Sequence, residues 1–235
     1  KKYLDFLAYG FIPGNNTFFD SINVLPPGHI LEFGPKFFSI EKLNQISKSE
    51  SYDSISYQIE KSIELQSSTE VKTGIFLSGG LDSSSIAAVA SIANKKLLAY
   101  TASYKTKNKE ILFLNKDSRK AIKTAQDHKI KIKNVIINSE QIPDLMFELF
   151  SKIDQPILDP ALIVSFALSK EAKQDNVKVV LSGIGGDELF FGYDRYYNDV
   201  RNLINKLTFL KSIFRNILKV EILPVSFLEK IARLS

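Results

Sequence analysis

Apolar positions Ile55, Ile59 and Ile63 recur at helical spacing with Glu60, Lys61 and Glu64 between them, which predicts a helix opening near Asp53. The apolar run Gly74-Ile75-Phe76-Leu77 then predicts a buried strand. It stops at Ser78-Gly79-Gly80, and a small-residue helix opens at Asp82 and runs through Ala93. The alternation continues with a strand over 97–103, a Lys/Asn-rich loop over 104–116, a helix over 117–128 and a strand over 134–137. A helix over 143–153, a turn at 154–156, a helix over 160–174 and a strand over 177–181 complete the series. Strands that alternate with helices predict an α/β fold: an open, mostly parallel sheet with flanking helices.

The first 40 residues have a different grammar. Pro-Gly at Pro13-Gly14 and Pro-Pro-Gly at Pro26-Pro27-Gly28 mark turns, and the apolar pieces between them are strand-length. Forty such residues cannot close a core, so 1–40 reads as a short β-rich remnant, the last strands of a unit whose beginning is missing. Residues 41–53 are rich in Ser, Lys and Glu and read as a linker, leaving 54–235 as the α/β domain. Near the other end, residues 200–220 put Leu203, Ile204, Leu207, Leu210, Phe214, Ile217 and Leu218 on one face, a basic amphipathic helix expected to pack on a core.

Composition narrows the function classes. The chain has no Cys, which removes disulfides, thiolate metal sites and a cysteine nucleophile, and agrees with a reducing, cytoplasmic setting. The net charge is +5, yet only five of the 31 basic residues are Arg, the residue that most often reads phosphates and base edges. Lys dispersed along the chain reads as solvated surface, so neither nucleic acid nor membrane is an expected partner. No apolar stretch approaches the roughly 18 residues that a span requires. His29 in a turn and His128 at a helix end have no companion at metal-ligand spacing and read as structural.

Two strand ends carry unusual loops. The first, over 77–84, is Leu-Ser-Gly-Gly-Leu-Asp-Ser-Ser. Adjacent glycines let an anion approach the main chain, and the following helix start offers free N–H groups and a positive dipole end. Ser78 and Ser83 add small donors. Asp82 is an acid inside an anion cradle, which makes chemical sense when Mg²⁺ bridges it to phosphate. A turn with a helix cap is the plain alternative for this loop alone. The second loop, over 182–193 (SGIGGDELFFGY), again follows an apolar strand, with Asp187 and Glu188 at a helix start. Two strand–glycine–acid–helix units in one sheet point to a nucleoside triphosphate site with Mg²⁺ between Asp82 and Asp187.

The motif over 78–83 (SGGLDS) resembles the pyrophosphate-binding loop of the N-type ATP pyrophosphatases, and with SGIGGDELFFGY it resembles the synthetase domain of the glutamine-hydrolysing asparagine synthetase family. The stretches over 9–14 and 19–33 resemble the end of that family's glutaminase domain, and DQPILDP over 154–160 resembles its Asp-Glu-Pro…Asp-Pro segment, with Gln155 in place of Glu. The resemblance implies an adenine nucleotide alpha-hydrolase-like fold and ATP-dependent adenylation of a small-molecule carboxylate, usually aspartate. Attack by an amine donor then forms the amide. It further implies that Ser78, Gly79, Gly80, Asp82 and Ser83 hold pyrophosphate, that Leu77, Ser182 and Gly183 line the adenosine side, and that Asp82 and Asp187 bind Mg²⁺. A homodimer is left open.

Three departures qualify what is implied. The chain lacks the family's catalytic Cys. Ile184 stands where the family commonly has an acid, and an aliphatic side chain cannot transfer a proton. The lysine that supports the family's intermediates belongs to a later portion and matches no residue here. Two other readings therefore stay open: a relative that forms a lactam or isopeptide bond with a non-ammonia amine, and a nucleotide-binding module without turnover. A tRNA-modifying pyrophosphatase would share the first loop but leave the glutaminase-like stretch unexplained.

Overall fold

The computed structural model describes residues 2–35, 37–43, 54–67, 70–190 and 192–193. The chain divides into two compact units, 1–182 and 183–235. The amphipathic pattern over 200–220 and residues 44–53 of the expected linker lie outside the described residues.

The first unit opens with a helix, α1 (Lys2–Tyr9), where short extended pieces were expected. Phe6 and Tyr3 set their rings edge-on to Phe18 at 5.6 Å, and Gly10 at φ +79° ends the helix with its N–H donating to the Phe6 carbonyl. Local i,i+3 packing on one aromatic won over strand-like composition. The expected β character appears after the Pro-Pro-Gly turn as an antiparallel hairpin, β1 (His29–Gly34) with β2 (Phe37–Lys42), in the register His29–Lys42 to Gly34–Phe37. β2 thus continues two residues past position 40. His29 turns its Nδ1 to the Pro27 carbonyl at 2.9 Å, a turn contact as anticipated.

The α/β body follows as α2 (Ile55–Ser67), β3 (Thr73–Phe76), α3 (Leu81–Ala93), β4 (Leu98–Lys105), α4 (Lys109–Asp127), β5 (Lys131–Asn138), α5 (Ile142–Phe150), α6 (Ala161–Gln174) and β6 (Val179–Leu181). Every pairing is parallel and the order is β5-β4-β3-β6. This is the open parallel α/β sheet read from the sequence. α4 begins at Lys109, inside the stretch expected to be a loop, because Lys, Glu and Leu there are good helix formers whatever their polarity.

Alternate residues of the strands feed two cores. Ile75, Leu77, Ala99 and Leu181 pack with Ala87 and Ala90 of α3, Ala121 and Ala125 of α4, and Ile63 of α2. Tyr100, Phe76, Leu98, Ala102 and Val180 pack on the other face with Val164, Leu168 and Ala172 of α6. The small residues of α3 and α4 let those helices sit close to the sheet. Gly74 is glycine because Tyr100 crosses it: a Cβ there would lie 3.0 Å from the Tyr100 ring and 3.1 Å from the Leu98 carbonyl. The Tyr100 hydroxyl then donates to Asp175 at 2.9 Å, and Lys133 bridges Asp175 and Glu171 at 2.8 and 3.0 Å.

The amino-terminal piece is tied to this body at the 154–160 turn. The Phe18 N–H donates to the Gln155 side-chain oxygen at 3.2 Å, and the Leu158 N–H donates to the Gly10 carbonyl at 2.9 Å.

Candidate functional site

The chain runs from β3 outward to β4 and β5, then crosses back to place β6 on the opposite side of β3. In open α/β sheets such a reversal leaves a crevice beyond the carboxyl ends of the two strands that flank it. Ile75 pairs with Leu181, so β3 and β6 end side by side, and both glycine-containing loops start at those ends.

The first loop is built from β3 upward. The Leu77 N–H donates to the Tyr100 carbonyl at 2.9 Å, and its side chain, 1% exposed, belongs to the core, so Leu77 can meet a ligand only through its main chain. Ser78 then leaves the sheet. Its hydroxyl lies 2.9 Å from that of Ser83, which is buried and also receives the Ser78 N–H at 3.3 Å and donates to the Gly80 carbonyl at 3.3 Å. The Gly80 N–H donates back to the Ser78 hydroxyl at 3.4 Å. The two serines therefore staple the loop shut from inside.

Gly79 is glycine for two reasons. Its φ is +79°, and a Cβ would lie 2.5 Å from the Asp117 carbonyl and 2.8 Å from the Ala121 nitrogen. The loop thus rests directly on the backbone of α4. Gly80, with φ −75° and ψ 167°, caps α3 without any side-chain hydrogen bond, which leaves the first-turn amides of a 13-residue helix for another acceptor. Asp82 sits in that first turn, half-buried. The arrangement suits a multiply charged anion with a bridging cation.

The second loop is described within its own unit. Gly185, at φ +101°, lets the chain turn so that the Gly186 N–H reaches the Gly183 carbonyl at 3.3 Å, and a short helix, α7 (Gly186–Phe190), follows. Asp187 is half-buried; its carbonyl accepts the Gly192 N–H at 3.1 Å and its carboxylate fills the space that a Gly192 side chain would need. Glu188 is held by the Tyr193 hydroxyl at 2.6 Å. Ile184 is 87% exposed.

The structure therefore brings Ser78, Gly79, Gly80, Asp82 and Ser83 into one loop at the end of β3, with Leu77 below it and Ser182 at the end of the adjacent strand; Gly183 and Asp187 belong to the second unit. Among the described residues no three His, Cys, Asp or Glu side chains cluster as a self-sufficient metal site. Sequence reasoning missed the part played by α4, whose Asp117, Lys120 and Ala121 form the floor under Gly79. No spacing in the sequence signals a contact across some forty residues. No described helix is long and apolar enough to cross a membrane.

Comparison with known proteins adds an independent line. A Mycobacterium bovis protein provisionally named glutamine-hydrolyzing asparagine synthetase is 33% identical over 164 residues, covering 70% of this chain and 24% of its own. Asparagine synthetase [glutamine-hydrolyzing] 1 of Bacillus subtilis is 27% identical over 201 residues, covering 81% of this chain and 30% of its own. The chain thus spans about a quarter to a third of the length of these curated relatives. Among solved structures, an NH3-dependent NAD synthetase from Campylobacter jejuni aligns over 59% of this chain and 58% of its own at 19% identity, with a TM-score of 0.38. A family model described as asparagine synthase matches residues 54–229, the stretch that contains both loops. With three quarters of its length so matched and the SGGLDS loop at the sheet's reversal point, the chain belongs to the asparagine synthase family.

Proposed function

We propose that this chain is the ATP-using part of a ligase that joins a carboxylate to an amine. The observation that carries the reading is the stapled glycine loop between β3 and the uncapped start of α3, beside the end of β6. In this reading a carboxylate oxygen of the substrate attacks the α-phosphorus of ATP, the bond to the β-phosphate bridging oxygen breaks, and pyrophosphate leaves. The amine nitrogen then attacks the activated carbonyl, its proton passes to the departing AMP phosphate or to water, and the amide forms as the carbonyl carbon's bond to the phosphate oxygen breaks.

The chain's own residues have distinct tasks. The main-chain N–H groups of Gly79 and of the first turn of α3 bind the departing pyrophosphate, the positive end of α3 favours its charge, and the Ser78 and Ser83 hydroxyls hold the loop in the shape that presents those groups. The main chain of Leu77, Ser182 and Gly183 lines the adenosine side. Asp82 and Asp187 would hold Mg²⁺, which neutralises phosphate charge when bound. Aspartate as the carboxylate and ammonia as the amine are the choice that the names of the relatives favour. Residues 1–40 as a glutaminase remnant, 41–53 as a linker and 54–235 as the ligase domain belong to the same proposal, as does a cytoplasmic setting.

Ile184 favours a second reading of the amine half. Its aliphatic, exposed side chain can neither take a proton from nor pair with an ammonium nucleophile, so an amine carried by the substrate itself would suit this loop better. The test is exchange of radiolabelled pyrophosphate into ATP by the full chain with Mg²⁺, across candidate carboxylates. Exchange that depends on a carboxylate is the expected result. Its absence with every carboxylate, alongside retained ATP binding, would leave a binding module and overturn the proposed ligase.

A further inference from the structure

The floor under the glycine loop contains a cation that no part of the motif accounts for. α4 meets Gly79 through the Asp117 carbonyl, the Ala121 nitrogen and the Lys120 Cβ, the last only 2.7 Å from where a Gly79 side chain would begin. Lys120 therefore springs from the very edge of the loop. Its ammonium reaches Asp117 at 3.7 Å, one turn back on the same helix. Both side chains are about two-thirds exposed, 66% and 63%, so this pair is held weakly and solvent screens it. A lysine carries its charge on a flexible four-carbon stem and rotates readily.

We propose that Lys120 is a phosphate-binding residue of this site: on arrival of ATP its ammonium exchanges Asp117 for the β- and γ-phosphate oxygens held over Gly79 and Gly80. The inference rests on the proposed ATP reading. It adds that α4, and not only the loop, contacts the pyrophosphate end. Asp117 is a single carboxylate and the triphosphate carries several charges, so the exchange favours the nucleotide. The contact is lost once only AMP remains, since AMP lacks the phosphates that lie over the loop. Lys120 then returns to Asp117.

The experiment is calorimetric titration of the full chain and its Lys120→Ala and Lys120→Arg variants with MgATP, magnesium pyrophosphate and AMP, with circular dichroism to confirm that each variant is folded. Lys120→Ala is expected to bind MgATP and magnesium pyrophosphate about tenfold more weakly, the size of one charge-assisted contact. Lys120→Arg should recover most of that loss, and AMP affinity should stay within about twofold, which is within ordinary context dependence for an uncontacted ligand. An unchanged MgATP affinity in Lys120→Ala, or an equal loss for AMP, overturns the inference and leaves the ATP reading standing. A wild-type chain that binds neither MgATP nor pyrophosphate overturns both.

Discussion

Replacing Gly79 by alanine is the sharpest structural perturbation of the candidate site. Two costs combine. A non-glycine residue at φ +79° gives up about 1–2 kcal/mol to the clash between Cβ and its own backbone. The new methyl would also stand 2.5 Å from the Asp117 carbonyl and 2.8 Å from the Ala121 nitrogen, both main-chain atoms of a helix that cannot rotate away. Relief requires α4 to shift from the sheet, an overpacking cost of about 1–3 kcal/mol. The sum is about 2–5 kcal/mol, on the scale of the whole stability of many domains. Gly80 is the internal control. Its backbone is ordinary, and the nearest neighbour of an added methyl is the Ser78 hydroxyl at 3.4 Å, so Gly80→Ala should cost under about 1 kcal/mol, the size of a cap substitution. Urea unfolding followed by far-ultraviolet circular dichroism measures both. Equal midpoints for the two variants, or a Gly79→Ala midpoint within error of wild type, would refute the claim that α4 is the floor of the loop.

Further outcomes concern the contacts that hold the α/β body and the amino-terminal piece together. Lys133 foremost, then the Tyr100 hydroxyl, hold the Asp175 carboxyl below its ordinary range, so this group stabilises the fold above that range and the contribution is lost as pH falls through it. Thermal midpoints measured between about pH 5 and 2 should fall less steeply for Asp175→Asn than for wild type. Lys133 is shifted the other way, upward, by Asp175 and then Glu171, so its contribution persists through neutral pH and is lost only as strongly alkaline pH passes its raised value. Tyr100→Phe removes one donor from Asp175 and should cost about 1–2 kcal/mol in urea unfolding. At the other joint, Gln155→Glu keeps an acceptor for the Phe18 N–H and should leave that amide's hydrogen-exchange protection intact, whereas Gln155→Ala should lower it.

Much of this was legible in the residues because the α/β body is locally consistent. The run over 74–77 is apolar on both sides, as a strand buried on both faces must be, and the glycines, Asp82 and serines that follow mark the loop by chemistry alone. α1 was not legible, since what makes it a helix is a contact of Tyr3 and Phe6 with Phe18, which composition does not encode. The early start of α4 was lost because polar helix formers resemble a loop when only hydrophobic spacing is weighed. The reason for Gln155 was equally out of reach: the side chain acts only as an acceptor, which Gln serves as well as Glu. Gly79 shows both sides. Its presence in the loop is plain from the sequence, but its packing on α4 is a property of the tertiary fold.

The proposed function would have Asp82 and Asp187 both serve the magnesium that accompanies the phosphates of ATP. A double-mutant cycle of ATP affinity, with and without Mg²⁺, over Asp82→Asn, Asp187→Asn and the pair tests it directly. Each single variant should lose the magnesium-dependent gain in affinity, and the pair should lose little more than either alone. Losses that simply add, or a magnesium dependence that survives in both single variants, would mean that the two carboxylates do not meet at a common ion.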